Sequence, residues 1–286
     1  MNIIDFRFDG KKKFRIKDFE TKQEGNFKDR AEAEERRDDH IMDLQGLQDK
    51  LYAEGKEGVL IIFQAMDAAG KDGAVKYVMS GVNPAGVIVH NFKVPSADEL
   101  AHDYLWRAMK AAPQRGMITI FNRSYYEDVL VVKVHDLHKK VGLPDRVLTR
   151  NIFKDRYEQI KNYEKHLHDN GFRIIKIFLN ISKDEQKKQF LQRIDDPAKN
   201  WKFSDGDIVE RGYWDKYMQA YEDAINATST PECPWYVVPS DKKWFARALI
   251  ADIVVSTLEE IGSKYPEVSE ERKLRLAEFR KMLMDE

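Results

Sequence analysis

Between residues 65 and 73 the chain reads Ala65-Met66-Asp67-Ala68-Ala69-Gly70-Lys71-Asp72-Gly73, directly after the apolar run Val59–Phe63. A strand, a turn of small residues, Gly-Lys and then a helix are what phosphate binding asks for. Small side chains let backbone N–H groups close around phosphate oxygens, and the helix N-terminus adds free donors and a favourable dipole. Ala68, Ala69, Gly70 and Gly73 are the small residues of this cradle, and Lys71 would reach a bridging or terminal phosphate oxygen. Two positions depart from the standard Walker A loop: Ala65 replaces the first Gly, and Asp72 replaces the Ser/Thr that normally holds Mg²⁺. Asp67 is the unusual residue, because an anion inside a phosphate cradle is repelled unless a cation intervenes. It either faces Mg²⁺ or orients the phosphoryl acceptor. Asp72 either serves the same metal or favours the first turn of the helix.

A second run of reactive types, Asn122-Arg123-Ser124-Tyr125-Tyr126-Glu127-Asp128, follows the apolar segment Met117–Phe121. In an open parallel sheet, ligands bind beyond the carboxyl ends of the strands, so this loop should face the first. Arg123 supplies a fixed positive fork for phosphate charge in transfer. Glu127 and Asp128 supply carboxylates for Mg²⁺ or for the acceptor, the bland alternative being that they only improve a helix N-terminus.

Taken together, Asp67–Gly73, Asn122–Asp128, Trp201-Lys202-Phe203-Ser204 and Ala101-His102-Asp103-Tyr104-Leu105-Trp106-Arg107 resemble the family-2 polyphosphate kinases. The likeness runs from about Lys11 to about Ile261. With Asn122 where other branches carry Asp, and Glu127-Asp128-Val129-Leu130 after it, the chain is similar to the branch called class III. The resemblance implies a P-loop kinase fold of the thymidylate-kinase type with a helical lid. It also implies transfer of a terminal phosphoryl group between inorganic polyphosphate and a nucleotide, using Mg²⁺ or in its place Mn²⁺. AMP and ADP are the acceptors associated with that branch, with GMP and GDP as further candidates. The family's loop aspartate and lysine fall on Asp67 and Lys71, its strand-end arginine on Arg123, and its carboxylate region on Glu127 and Asp128.

From Lys183 to Arg211 seven cations are interleaved with Asp195, Asp196, Asp205 and Asp207. In the light of the resemblance, 182–214 reads as a lid whose Arg193, Lys199, Lys202 and Arg211 close over the phosphate chain and exclude water. Lys187 and Lys188 read as a solvated helix face. His135 and His138, three apart, have no third ligand in view and read as polar surface. Trp235, Trp244 and Phe245 read as core packing rather than as flanks for a base.

Elements must hold these loops together. Val59–Phe63, Val87–Phe92, Met117–Phe121, Arg173–Leu179 and Trp235–Val238 are rich in Val, Ile and Phe and mostly lack alternation, as strands buried on both faces do. Helical spacing separates them, which predicts an α/β fold with a five-stranded parallel sheet and helices on both faces. Ile41, Leu44, Leu47 and Leu51 mark an amphipathic helix within an N-terminal arm and helix, 1–55. Leu148, Ile152, Ile160, Tyr163 and Leu167 mark another, ended by Asn170-Gly171. Ser204 with Asp207 resembles a capping box opening the stripe Trp214, Tyr217, Met218, Tyr221 and Ile225. The charged tail, 265–286, reads as a peripheral helix. No repeat or linker divides the chain, so 1–286 reads as one domain.

At 286 residues, with 42% hydrophobic and 34% charged residues, the composition is that of a soluble globular protein. The formal charge of −1 gives no bulk basicity, so nucleic acid is not an expected partner, and any polyanion site must come from local clusters. The single cysteine, Cys233, excludes a disulfide framework or a Cys-rich zinc site. No signal-like segment opens the chain and no apolar run approaches the roughly 18–20 residues of a membrane span. A cytoplasmic homo-oligomer is the expectation, the exposed arm and the Ile41–Leu51 face being candidate subunit contacts. The rival functions are an ATP-dependent nucleoside monophosphate kinase of the same fold, a non-catalytic nucleotide-binding module, and a nucleic-acid-processing ATPase.

Overall fold

The computed structural model describes residues 2–286, apart from the side chain of Arg37. Its strands are β1 (Arg7–Phe8), β2 (Gly58–Ala65), β3 (Val87–Asn91), β4 (Ile118–Asn122), β5 (Phe172–Asn180) and β6 (Trp235–Pro239). They form one sheet in the order β1-β6-β5-β2-β4-β3. All eight residues of β2 are buried. It lies between β4 and β5, and that central place is why Val59–Phe63 is continuously apolar.

The expected five-stranded parallel sheet is corrected here to six strands of mixed direction. Strands β2 to β6 run parallel, but β1 pairs antiparallel with β6, Arg7 opposite Tyr236 and Phe8 opposite Trp235. Two residues carry no readable period, so β1 escapes a pattern-based reading. The arm that contains it is anchored on the core by its aromatic residues. Phe6 and Phe14 are buried, and Phe8 and Phe19 pack edge-on with Phe14.

Among the helices, α1 (Arg30–Glu54) is opened by Asp29, which accepts from the Glu32 N–H, and closed by Gly55 in the left-handed region. It packs against α10 (Lys243–Ile261), which also meets α2 (Lys71–Val78). Leu44 and Leu51 are buried on the α1 face, which is therefore an internal surface. The opposite face of the sheet is covered by α6 (Ile152–Asp169) and α9 (Trp214–Thr228), with α5 (Val131–Val134) against α9. Short helices α3 (Ala97–Ala101) and α4 (Trp106–Lys110) follow β3.

Leu148 precedes α6 and is exposed rather than part of it. The Ser204–Asp207 capping box is present, but it opens a separate helix, α8 (Asp205–Gly212). The Trp214–Ile225 stripe belongs to α9, beyond the weak helix former Gly212. Segment 182–214 thus comprises α7 (Lys183–Asp195), a short turn at Asn200–Lys202, and α8. In the tail, α11 (Glu270–Met284) is exposed along its whole length. No helix among the described residues is long and apolar enough to cross a membrane.

Register aligns the functional ends. Phe63 stands opposite Asn122, and Asn122 opposite Asn91, so β2, β4 and β3 all deliver their loops to the same edge of the sheet.

Candidate active site

The turn leaving β2 is shaped by two left-handed residues, Ala68 (φ 65°) and Gly70 (φ 101°), and by an Ala69 N–H bond to the Met66 carbonyl at 3.3 Å. Gly70 is the residue before α2, where a Cβ would be strained. At Gly73 a Cβ would lie 3.3 Å from Arg247 Nη2, so the small residue also admits α10 to the loop. The Lys71 ammonium donates to the Ala65 carbonyl at 3.3 Å, folded over the turn where phosphate oxygens would lie. Burial and the neighbouring Arg123 push its pKa down, while Asp67, Glu127 and Asp72 pull the other way. The charges of three carboxylates therefore act on one ammonium.

Arg123 follows β4 in the left-handed region (φ 61°), its N–H bonded to the Phe63 carbonyl at 3.0 Å. That reversal carries the guanidinium across to the β2 loop, where Nη2 donates to Asp67 Oδ1 at 2.9 Å. Burial works against its charge, but Glu127 and Asp67 outweigh it and raise its pKa. Ser124 then caps a 3-10 turn, Tyr125–Asp128. The Gln64 amide bridges this turn, its oxygen facing Ser124 at 3.1 Å and its nitrogen donating to Glu127 Oε1 at 2.9 Å. Burial raises the Glu127 pKa and Asp67 adds to it, against Arg123 and Lys71.

Asp67, Lys71, Arg123 and Glu127 thus come together; Asp128 does not join them. It turns to Arg156, whose Nη1 donates to the Asp128 carbonyl at 2.8 Å and lies 3.6 Å from Oδ1. Burial pushes its carboxyl up to about 6, Arg156 and Arg107 only partly offsetting this. Asn122 Nδ2 donates to Asp72 Oδ1 at 2.9 Å and to Asn91 Oδ1 at 2.8 Å, tying three elements together. Its own Oδ1 is buried without a hydrogen-bond partner. Among the described residues no three of His, Cys, Asp and Glu are close enough to hold a metal unaided. A hard cation that keeps most of its waters and shares phosphate oxygens suits such a site, where the protein offers Asp67, Asp72 and an orphaned amide oxygen.

In segment 182–214 the four cations divide. Arg211 donates to the Lys183 carbonyl (2.7 Å) and to Gln186 Oε1 (2.9 Å), and Gln186 Nε2 donates to the Asp67 carbonyl (3.0 Å). A hydrogen-bonded chain therefore joins α8 to the phosphate loop. Arg193 bonds the Lys202 carbonyl at 3.0 Å and Asp207 Oδ2 at 3.4 Å. Lys199 pairs with Asp196 at 2.8 Å, and Lys202 lies over the exposed Trp201 ring.

Two cations escaped the sequence reading. Lys243 and Arg247, on the first turns of α10, flank the phosphate loop; a Cβ on Gly70 would lie 3.8 Å from Lys243 Cε. Lys243 bonds Gln189, and burial lowers its pKa, Glu185 opposing while Arg247, Arg193 and Lys199 add to the shift. Arg247 lies over the Tyr77 ring at 3.6 Å. The available signal was position: both follow β6 at the carboxyl edge of the sheet. Trp235 and Phe245 are buried and Trp244 packs on Phe27. His138 is buried against Phe153, not on the surface, and His135 pairs instead with Glu210 at 2.8 Å.

Comparison with known proteins bears on what this arrangement does. The sequence model of the family described as Polyphosphate kinase 2 matches residues 27–266. An ADP-polyphosphate phosphotransferase of Rhodopseudomonas palustris is 50% identical over 243 residues, 84% of each chain. An AMP/ADP-polyphosphate phosphotransferase of Meiothermus ruber is 48% identical over 224 residues, 78% of this chain and 80% of that one. The crystal structure of Polyphosphate Kinase 2 from Arthrobacter aurescens superposes with a TM-score of 0.89 at 37% identity, over 98% of this chain and 95% of that one.

Proposed function

The chain belongs to the Polyphosphate kinase 2 family, and from that premise we infer that it transfers the terminal phosphoryl group of inorganic polyphosphate to AMP and ADP, reversibly. One observation carries the assignment of residues: Lys71, Arg123, Asp67 and Glu127, drawn from the ends of two adjacent strands, converge at a turn of phosphate-loop geometry. An oxygen of the nucleotide's terminal phosphate attacks the end phosphorus of the chain. The bridging P–O bond breaks, and its electron pair stays with the shortened polyphosphate. The nucleotide phosphate is already ionised at neutral pH, so the step needs position and charge rather than a strong base.

In this reading the loop amides from Ala68 to Gly73 and the Lys71 ammonium hold phosphate oxygens, and Arg123 neutralises the group in flight. Glu127 orients both cations, while Asp128 supports the turn through Arg156. Asp67 and Asp72, with the orphaned Asn122 oxygen, would hold Mg²⁺, which supplies further charge neutralisation at phosphate when bound. Segment 182–214 acts as the helical lid on a P-loop kinase fold of the thymidylate-kinase type. Its Arg193 and Arg211, joined by Lys243 and Arg247, supply the cationic flank that an extended polyanion requires, with Lys199 and Lys202 at its outer rim. Guanine nucleotides are further candidate acceptors.

Lys71→Ala and Asp67→Asn should each lower kcat by about 10²-fold or more. Their thermal melts should stay close to that of the parent, since both side chains are only partly buried. Near-parental turnover in either variant, measured with polyphosphate and ADP, would remove these residues from the mechanism.

A further inference from the structure

Beneath the Arg123–Glu127 turn lies a charged group that phosphoryl transfer does not touch. Glu164 of α6 and Lys176 of β5 are 1% and 0% exposed and are joined at 2.7 Å. Glu164 Oε1 accepts from the Tyr125 hydroxyl at 2.9 Å and from the Tyr126 hydroxyl at 2.7 Å. Lys176 Nζ also donates to the Thr228 carbonyl at 2.7 Å. The Tyr126 hydroxyl lies 2.9 Å from Thr228 Oγ1, which receives the Trp235 indole N–H at the same distance.

Stability does not account for this arrangement. A buried ion pair is at best about neutral against well-packed apolar residues of similar volume, because desolvation offsets the attraction. What it supplies is direction. Tyr125 and Tyr126, adjacent in the chain, converge on a single carboxylate oxygen, their ring centroids 5.2 Å apart. That convergence fixes the rotation of the 3-10 turn between Arg123 on one side and Glu127 on the other. Arg123 is held in a left-handed conformation, which persists only where the surroundings over-determine it.

We propose that Glu164 is a positioning residue for phosphoryl transfer, acting through the Tyr125–Tyr126 pair to hold Arg123 and Glu127 in their working geometry. The proposal rests on the roles given above to Arg123 and Glu127. Lys176 serves it by holding the carboxylate in place, Nζ to Oε2 at 2.7 Å.

The test separates the hydrogen-bond acceptor from the buried charge. The double variant Glu164→Gln with Lys176→Met keeps an acceptor oxygen without charge; Glu164→Leu with Lys176→Met removes both. The Leu/Met protein should lose about tenfold or more in kcat, with KM for polyphosphate and for ADP within about threefold. The Gln/Met protein should recover most of that loss. Amide hydrogen exchange over Arg123–Asp128 should quicken by about tenfold in the Leu/Met protein and little in the Gln/Met protein. Exchange needs no substrate, so it judges the positioning role even if transfer from polyphosphate fails. Should the Leu/Met chain not fold, Tyr125→Phe with Tyr126→Phe, which leaves the ion pair intact, should show the same losses. Parental kcat and exchange in the acceptor-free proteins would overturn the proposal, as would equal losses in the Gln/Met and Leu/Met proteins.

Discussion

Arg123 and Asp128 are five residues apart in the chain and serve different masters. The guanidinium of Arg123 reaches the phosphate loop because its backbone is left-handed and its N–H is anchored on Phe63. Its planar fork meets two oxygens in a fixed parallel geometry, which a lysine ammonium, a point charge with rotatable donors, does not impose. Arg123→Lys should therefore lower kcat by about 10²-fold while KM moves little, checked by steady-state kinetics with polyphosphate and ADP. Asp128 is a titration test instead. Its folded pKa is about 6, above its ordinary 3.8. A raised folded value means that its contribution to stability is full below the unfolded pKa and is lost as pH rises through about 6. Asp128→Asn removes that loss. Melting curves should show the variant gaining on the parent between pH 4.5 and 7.5, by about 2 kcal/mol. A gap independent of pH would contradict the environment described for this carboxyl. Sequence placed Asp128 beside Glu127 in one role; the twist of a 3-10 turn, invisible in a list of residues, sends them different ways.

At the scale of elements, the loops after β2 and β4 were legible because their signals are local. An apolar run, small residues and Gly-Lys lie within fifteen positions of each other, and Asn122-Arg123 directly follows the apolar run Met117–Phe121. The cationic flank was only half legible. Arg193 and Arg211 stand in a conspicuous charge run, but Lys243 and Arg247 lie some 170 residues beyond the phosphate loop they flank. Only the sheet order, which sets β6 two strands from β2 with its carboxyl end at the same edge, brings them there. If this flank holds the polyanion, Lys243→Ala with Arg247→Ala should raise KM for polyphosphate roughly tenfold and flatten its dependence on salt. KM for ADP should change much less. A rise confined to the nucleotide would assign the flank to the other substrate.

Across the whole molecule, a formal charge of −1 conceals a strongly uneven distribution. Lys71, Arg123, Arg193, Arg211, Lys243 and Arg247 come from four separate stretches of chain, those that follow β2, β4, β5 and β6. Overall charge could not reveal that, whereas five apolar runs sufficed to lay out β2 to β6. The sixth strand was hidden because it is two residues long and is stabilised by the aromatic packing of Phe6, Phe8 and Phe14, not by a pattern of its own.

The central claim is that polyphosphate is the phosphoryl donor, and one measurement addresses it directly. Purified protein with Mg²⁺ is given AMP or ADP, and either long-chain polyphosphate or ATP as donor, with products resolved by anion-exchange chromatography and Lys71→Ala as background. ADP and ATP should form from polyphosphate at least about tenfold faster than any transfer from ATP to AMP. Phosphate moving only from ATP, or none moving from polyphosphate above the Lys71→Ala background, would contradict that claim.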